Sequence, residues 1–198
     1  MKSNVCKIEK GTADLDAILA ESEKVAEYIG LNHKQSMKLR LICEEIDGLL
    51  PNITNEFEGD FWIEHEDGTC KVNVSITVPE FNATKKKELI ALANDKRNAA
   101  AVGFVGKIRN AIENFFLSEE PNDAFSTSSI TFHTATGYSD GVDYSYLWTL
   151  ESYKDTIKKD KTEPWDELEK SVIASVADNV IVGVRGNRVD ITIVKKFI

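Results

Sequence analysis

The chain has 198 residues, 42% hydrophobic and 29% charged, enough to bury one sizeable core. Its net charge of -9 argues against a surface that broadly attracts nucleic-acid phosphates, and no apolar run reaches the ~18 to 20 residues that a membrane-crossing helix needs. Cys6, Cys43 and Cys70, odd in number and far apart, suggest neither a disulfide framework nor a paired-cysteine zinc site; with a start, MKSNVCKIEKGTADLD, that lacks a secretory apolar core, they point to a cytoplasmic protein with reduced thiols.

Taken in chain order, ADLDAILAESEKVAEYIG puts Leu15, Ile18, Leu19, Val25 and Ile29 on one helical face and stops at Gly30. Asn32 and Gln35 have the spacing of a capping box, and the helix they open is predicted to run to about Leu50, with Pro51 after its end. Its apolar stripe is Leu39, Ile42, Cys43, Ile46, Leu49 and Leu50. GDFWIEHEDGTCKVNVSITV alternates about Asp67-Gly68 and predicts a hairpin. TKKKELIALAND and VGFVGKIRNAIENFF have helical spacing, with a polar joint from Asn94 to Val102 between them.

From 118 to 163 the composition turns to Ser, Thr and turn residues, which predicts an insertion within a single domain, ending in a short helix around LESYKDTIKK. The aromatics Tyr138, Tyr144, Tyr146 and Trp148 crowd this stretch, either as a satellite core or as a binding surface. A helix PWDELEKSVIASVA and a hairpin turning at Gly186-Asn187 close the chain. This order predicts an α+β, two-layer sandwich: an antiparallel or mixed sheet with helices on one face.

The second helix raises a chemical question. It is apolar nearly all round, yet LRLICEEIDGLLPNI carries Glu44 and Glu45 in its middle. At 100° per residue Glu44 falls opposite the apolar stripe and Glu45 on its flank, beside Gly48. A solvated or ion-paired helix edge is one reading of the pair; a carboxylate bordering a cavity is the other. His33, His65 and His133 form no ligand spacing, so no metal site is expected.

The helix pair, LRLICEEIDGLL, the hairpin after it, and the closing SVIASVADNVIVGVRGNRVDITIVKKF resemble the gyrase and histidine-kinase ATPase superfamily (GHKL). Within it, they look most like the bacterial anti-sigma-factor serine kinases. The resemblance covers roughly Ala13 to Val78 and Trp165 to Phe197, and it implies a histidine-kinase-like ATPase fold. In that family a Glu activates the attacking nucleophile, and an Asn one turn later supplies the oxygen for the Mg²⁺ that bridges the ATP phosphates.

Carried over, the resemblance makes Glu45, or alternatively Glu44, the catalytic carboxylate. The Asn position then falls on Leu49 or Gly48, which have no side-chain oxygen, and Asn52 lies further on. The family's D-x-G-x-G adenine turn is replaced by TVPEFNAT, where Glu80 is the remaining acceptor, and the second glycine box has a partial echo in Gly103, Gly106 and Lys107. Lys85, Lys86, Lys87, Lys96 and Arg97 fall where the family has its ATP lid, although a solvated helix face also accounts for them. The expectation is a degenerate regulatory module without a cofactor. It would bind a protein partner, a sigma factor or a small antagonist-type domain by resemblance, and neither nucleic acid nor membrane. The alternatives are a divergent ATP-dependent serine kinase using ATP with Mg²⁺, or a non-hydrolysing small-molecule sensor.

Overall fold

The computed structural model describes residues 1–9, 15–54, 56–78, 103–117, 146–159 and 171–197. In chain order these form β1 (Cys6–Glu9), α1 (Leu15–Tyr28), α2 (His33–Ile53), β2 (Glu58–Glu66), β3 (Thr69–Thr77), α3 (Gly103–Leu117), β4 (Tyr146–Thr149), α4 (Leu150–Lys159), α5 (Val172–Val176), β5 (Asn179–Arg185) and β6 (Arg188–Lys196). The strands make one open antiparallel sheet in the order β1-β2-β3-β6-β5-β4. The predicted α+β class is therefore observed, with an antiparallel sheet.

Local chemistry accounts for the well-defined joints. Asn32 Oδ1 accepts the Gln35 N–H and Gln35 Oε1 accepts the Asn32 N–H, each at 3.0 Å, so the capping box forms and satisfies two donors at the start of α2. Such a cap is worth about 1 kcal/mol. The β2–β3 turn takes positive φ at both Asp67 (46°) and Gly68 (73°), whereas the β5–β6 turn takes it at Gly186 (57°). Both are two-residue turns whose twist suits a hairpin.

One core lies between the helices and one face of the sheet. Leu39, Ile42, Cys43, Ile46, Leu49 and Leu50 of α2 meet alternating strand residues: Phe61 and Ile63, Val72 and Val74, Val182 and Val184, Ile191 and Ile193. Ile108 and Ile112 of α3, Leu150 of α4 and Ile173 of α5 join the same cluster. The apolar stripe predicted for α2 is thus its buried face.

Three boundaries differ from the sequence expectation. Pro51 does not follow α2; it lies inside the helix, which continues to Ile53, and the Thr54 N–H closes the end on the Leu50 carbonyl at 3.1 Å. A proline this near a C-terminus forfeits a single backbone donor, a cost that the buried Leu49 and Leu50 beside it outweigh. Residues 164–170 of the expected last helix lie outside the described residues. Ser171 is extended (φ -79°, ψ 120°) and its hydroxyl accepts the Ala174 N–H at 3.3 Å, so it caps a helix of five residues. Finally, Tyr146–Thr149, placed by composition within an insertion, is the strand that pairs with β5 at the sheet edge. Trp148 and Tyr153 pack against the main core with ring centroids 5.8 Å apart. Tyr138 and Tyr144 lie outside the described residues.

Candidate functional site

The two carboxylates of α2 occupy different surroundings. Arg40, one turn before Glu44, donates from Nε to Glu44 Oε1 at 3.0 Å and from Nη1 to Glu23 of α1. Glu44 is therefore one end of an Arg-centred clasp between α1 and α2, which is the ion-paired helix edge in its plainest form. Glu45 is half-buried on the flank of the stripe and makes no hydrogen bond or ion pair among the described residues. Gly48, one turn on, is exposed, and a Cβ built there meets nothing within 4 Å. Leu49, by contrast, is 2% exposed and part of the core.

These facts test the fit of Mg²⁺ to the family position. One turn beyond Glu45 stands a buried alkyl chain, and one turn beyond Glu44 there is no side chain, so neither place offers the hard oxygen that Mg²⁺ requires. Because α2 continues to Ile53, Asn52 is a helical residue and not a loop residue as expected. It stands seven residues past Glu45, about 10.5 Å along the axis at 1.5 Å per residue, against about 6 Å for the family spacing. Mg²⁺ does not fit at this position.

Gly103 opens α3 and Gly106 sits buried in its first turn, followed by half-buried Lys107; this helix packs beside α2. The Gly-x-x-Gly echo is therefore part of a helix. Glu80 and the cluster Lys85, Lys86, Lys87, Lys96 and Arg97 lie outside the described residues. Among the described residues no group of three or more His, Cys, Asp or Glu side chains is placed to hold a metal ion, and no helix is long and apolar enough to cross a membrane.

Two of the three thiols, those of Cys43 and Cys70, are structural. Burial raises the Cys43 thiol far above its ordinary value, with partial relief from a Ser22 hydrogen bond, and burial pushes Cys70 up to about 11. Both stay protonated at neutral pH and pack as small apolar groups.

One charged residue that periodicity did not single out is Glu21 on α1, only 7% exposed. Its carboxylate accepts Lys24 Nζ at 2.6 Å, the Asn4 N–H at 3.2 Å and Asn4 Nδ2 at 3.1 and 3.2 Å. The Lys24 bond, opposed by burial and aided by Asn4, holds the carboxyl below its usual value. The available signal was the i,i+3 pairing with Lys24; the bonds to Asn4, 17 residues away, left none.

Comparison with known family models, with curated proteins and with solved structures finds no match in any of the three.

Proposed function

We propose that the chain is a regulatory, protein-binding module of GHKL type, related to the bacterial anti-sigma factors, that does not hydrolyse ATP. The observation that carries this reading is the oxygen-free step after the paired carboxylates: Gly48 has no side chain, and the Leu49 side chain is committed to the core. Glu44 is already spent on Arg40, so it is held as a fastening between helices. An α2 whose inner face is core and whose carboxylate flank stays on the surface is suited to recognition, because the surface residues can vary without disturbing the packing. By resemblance the partner is a sigma factor or a small antagonist-type domain.

A second reading rests on Glu45. It has no partner among the described residues, so its carboxylate is free to act as a base in a divergent serine kinase that holds Mg²⁺ by other groups. Calorimetric titration with ATP and Mg²⁺ separates the two. The first reading expects no saturable heat with nucleotide in the micromolar range. Saturation in the low micromolar range would overturn the first, and phosphoryl transfer to a serine that Glu45→Gln abolishes while nucleotide still binds would establish the second.

A further inference from the structure

The N-terminal nine residues run antiparallel along the outer edge of β2 in two stretches whose registers differ by one. Lys2 bridges Glu64, whereas Cys6 pairs with Phe61. Three residues, Ser3 to Val5, therefore face two, Trp62 and Ile63, which is the count of a β-bulge. Ser3 mends the ladder with both of its groups: its N–H donates to the Ile63 carbonyl at 2.8 Å, and its hydroxyl accepts the Ile63 N–H at 2.9 Å. Asn4 turns out of the ladder instead. Its N–H and carboxamide both go to the Glu21 carboxylate on α1, which Lys24 completes.

We propose that Met1–Glu9 is a detachable edge strap whose latch is the Asn4–Glu21 contact, and that releasing the latch frees the strap while the rest of the sheet stays folded. Besides the ladder, Ile8, 2% exposed, is seated in the core and Asn4 is tied to Glu21. The Met1 ammonium on the His65 carbonyl at 2.7 Å and the Lys2–Glu64 and Lys7–Asp60 ion pairs at 3.5 and 2.7 Å lie at the surface, where such contacts hold little. A strap paired on one side only, with one buried apolar anchor, lies at the low end of the local-opening scale. When it leaves, water reaches Glu21, which keeps Lys24, so no carboxylate is stranded in a dry site. Opening frees the β2 edge along the β1 ladder and, beyond it, the Ile63 N–H now held by Ser3 and the His65 N–H now held by the Met1 carbonyl at 2.9 Å, together with the seat of Ile8.

Residue-resolved amide hydrogen exchange on the full chain tests this with two variants. Glu21→Gln keeps the volume and drops the charge; Asn4→Ala removes the side-chain donor from an exposed position and does not threaten the core. Both should speed exchange at Cys6 to Glu9 and at Ile63 and His65 by about tenfold or more, since bonds to a charged acceptor are lost. The β3 and β6 amides at Val74 and Ile191 should be unchanged. Unchanged strap amides in both variants, or acceleration of strap and central strands by one common factor, would overturn the latch.

Discussion

Gly59 gives the sharpest test of the sheet. It stands in β2 opposite Ile76 on one side and Ile8 on the other. A Cβ built on it would overlap the Ser75 carbonyl oxygen and would approach the Ile76 Cα at 2.8 Å and the Ser75 carbonyl carbon at 2.9 Å. All three atoms are backbone, so no side chain can swing aside, and Gly59→Ala must part the strands. The adjoining rungs, Glu58↔Thr77 and Asp60↔Ser75, then loosen. Two backbone bonds at about 1 kcal/mol each, with partial hydration of the fully buried Ile76 adding about 1 kcal/mol, give a loss of about 3 kcal/mol. Urea unfolding followed by far-ultraviolet circular dichroism reads this directly. With a slope of about 3 kcal/mol per molar for a chain of this size, the midpoint should fall by about 1 M. A Gly59→Ala midpoint within about 0.2 M of wild type would refute the close approach.

Other expectations follow from the same structure. Because the Glu21 pKa is lowered on folding, its contribution is complete above the ordinary value of 4.5 and is lost as pH falls through the folded-state value; the stability gap between wild type and Glu21→Gln should therefore be full at neutrality and shrink on acidification below 4.5, and a gap that widened would reverse the assignment. Cys43 and Cys70 should resist a thiol-reactive dye at pH 8 until the chain unfolds, so rapid native labelling of more than one thiol contradicts their burial. Gly48→Ala, with open space for its Cβ, should raise stability by about 0.5 to 1 kcal/mol in the same urea assay; a decrease would reveal a contact at that helix surface. Gly48→Asn, which sets an amide oxygen one turn after Glu44, should fold normally and still show no ATP turnover in a phosphate-release assay; measurable turnover would mean that the rest of the nucleotide site is intact.

What the sequence revealed, and what it hid, divides by the range of the interactions. The Asn32–Gln35 box, the Asp67-Gly68 and Gly186-Asn187 turns and the α2 stripe were legible because each is set within a few residues by backbone sterics or helical period. β1 and β4 were not, since four-residue runs carry too little alternation and are strands only because β2 and β5 offer them partners. Pro51 misled for a related reason: local chemistry ends a helix there, while packing of Leu49 and Leu50 carries it on. At the candidate site the carboxylate spacing was visible, but the division of labour between Glu44 and Glu45 depends on Arg40 reaching Glu23 of a neighbouring helix. The bonding of Glu21 was hidden for the same cause, as most of its hydrogen bonds come from a distant Asn4.

The strand order has a consequence for how the chain is made. β6 lies in the middle of the sheet between β3 and β5, and its Thr192 hydroxyl bonds to Asn73 Oδ1 at 3.0 Å across 119 residues of sequence. A ribosome delivers this central strand after the other five described strands. Until then the β2–β3 hairpin has β3 as a bare margin, with Val72, Val74 and Ile76 lacking their neighbours Ile193, Ile191 and Val189. Closing so long a loop is slow, and an unpaired apolar strand invites association with other chains. Nascent chains stalled short of Arg188 should therefore be held by chaperones or aggregate, and the fold should appear in a single late step once β6 clears the exit tunnel.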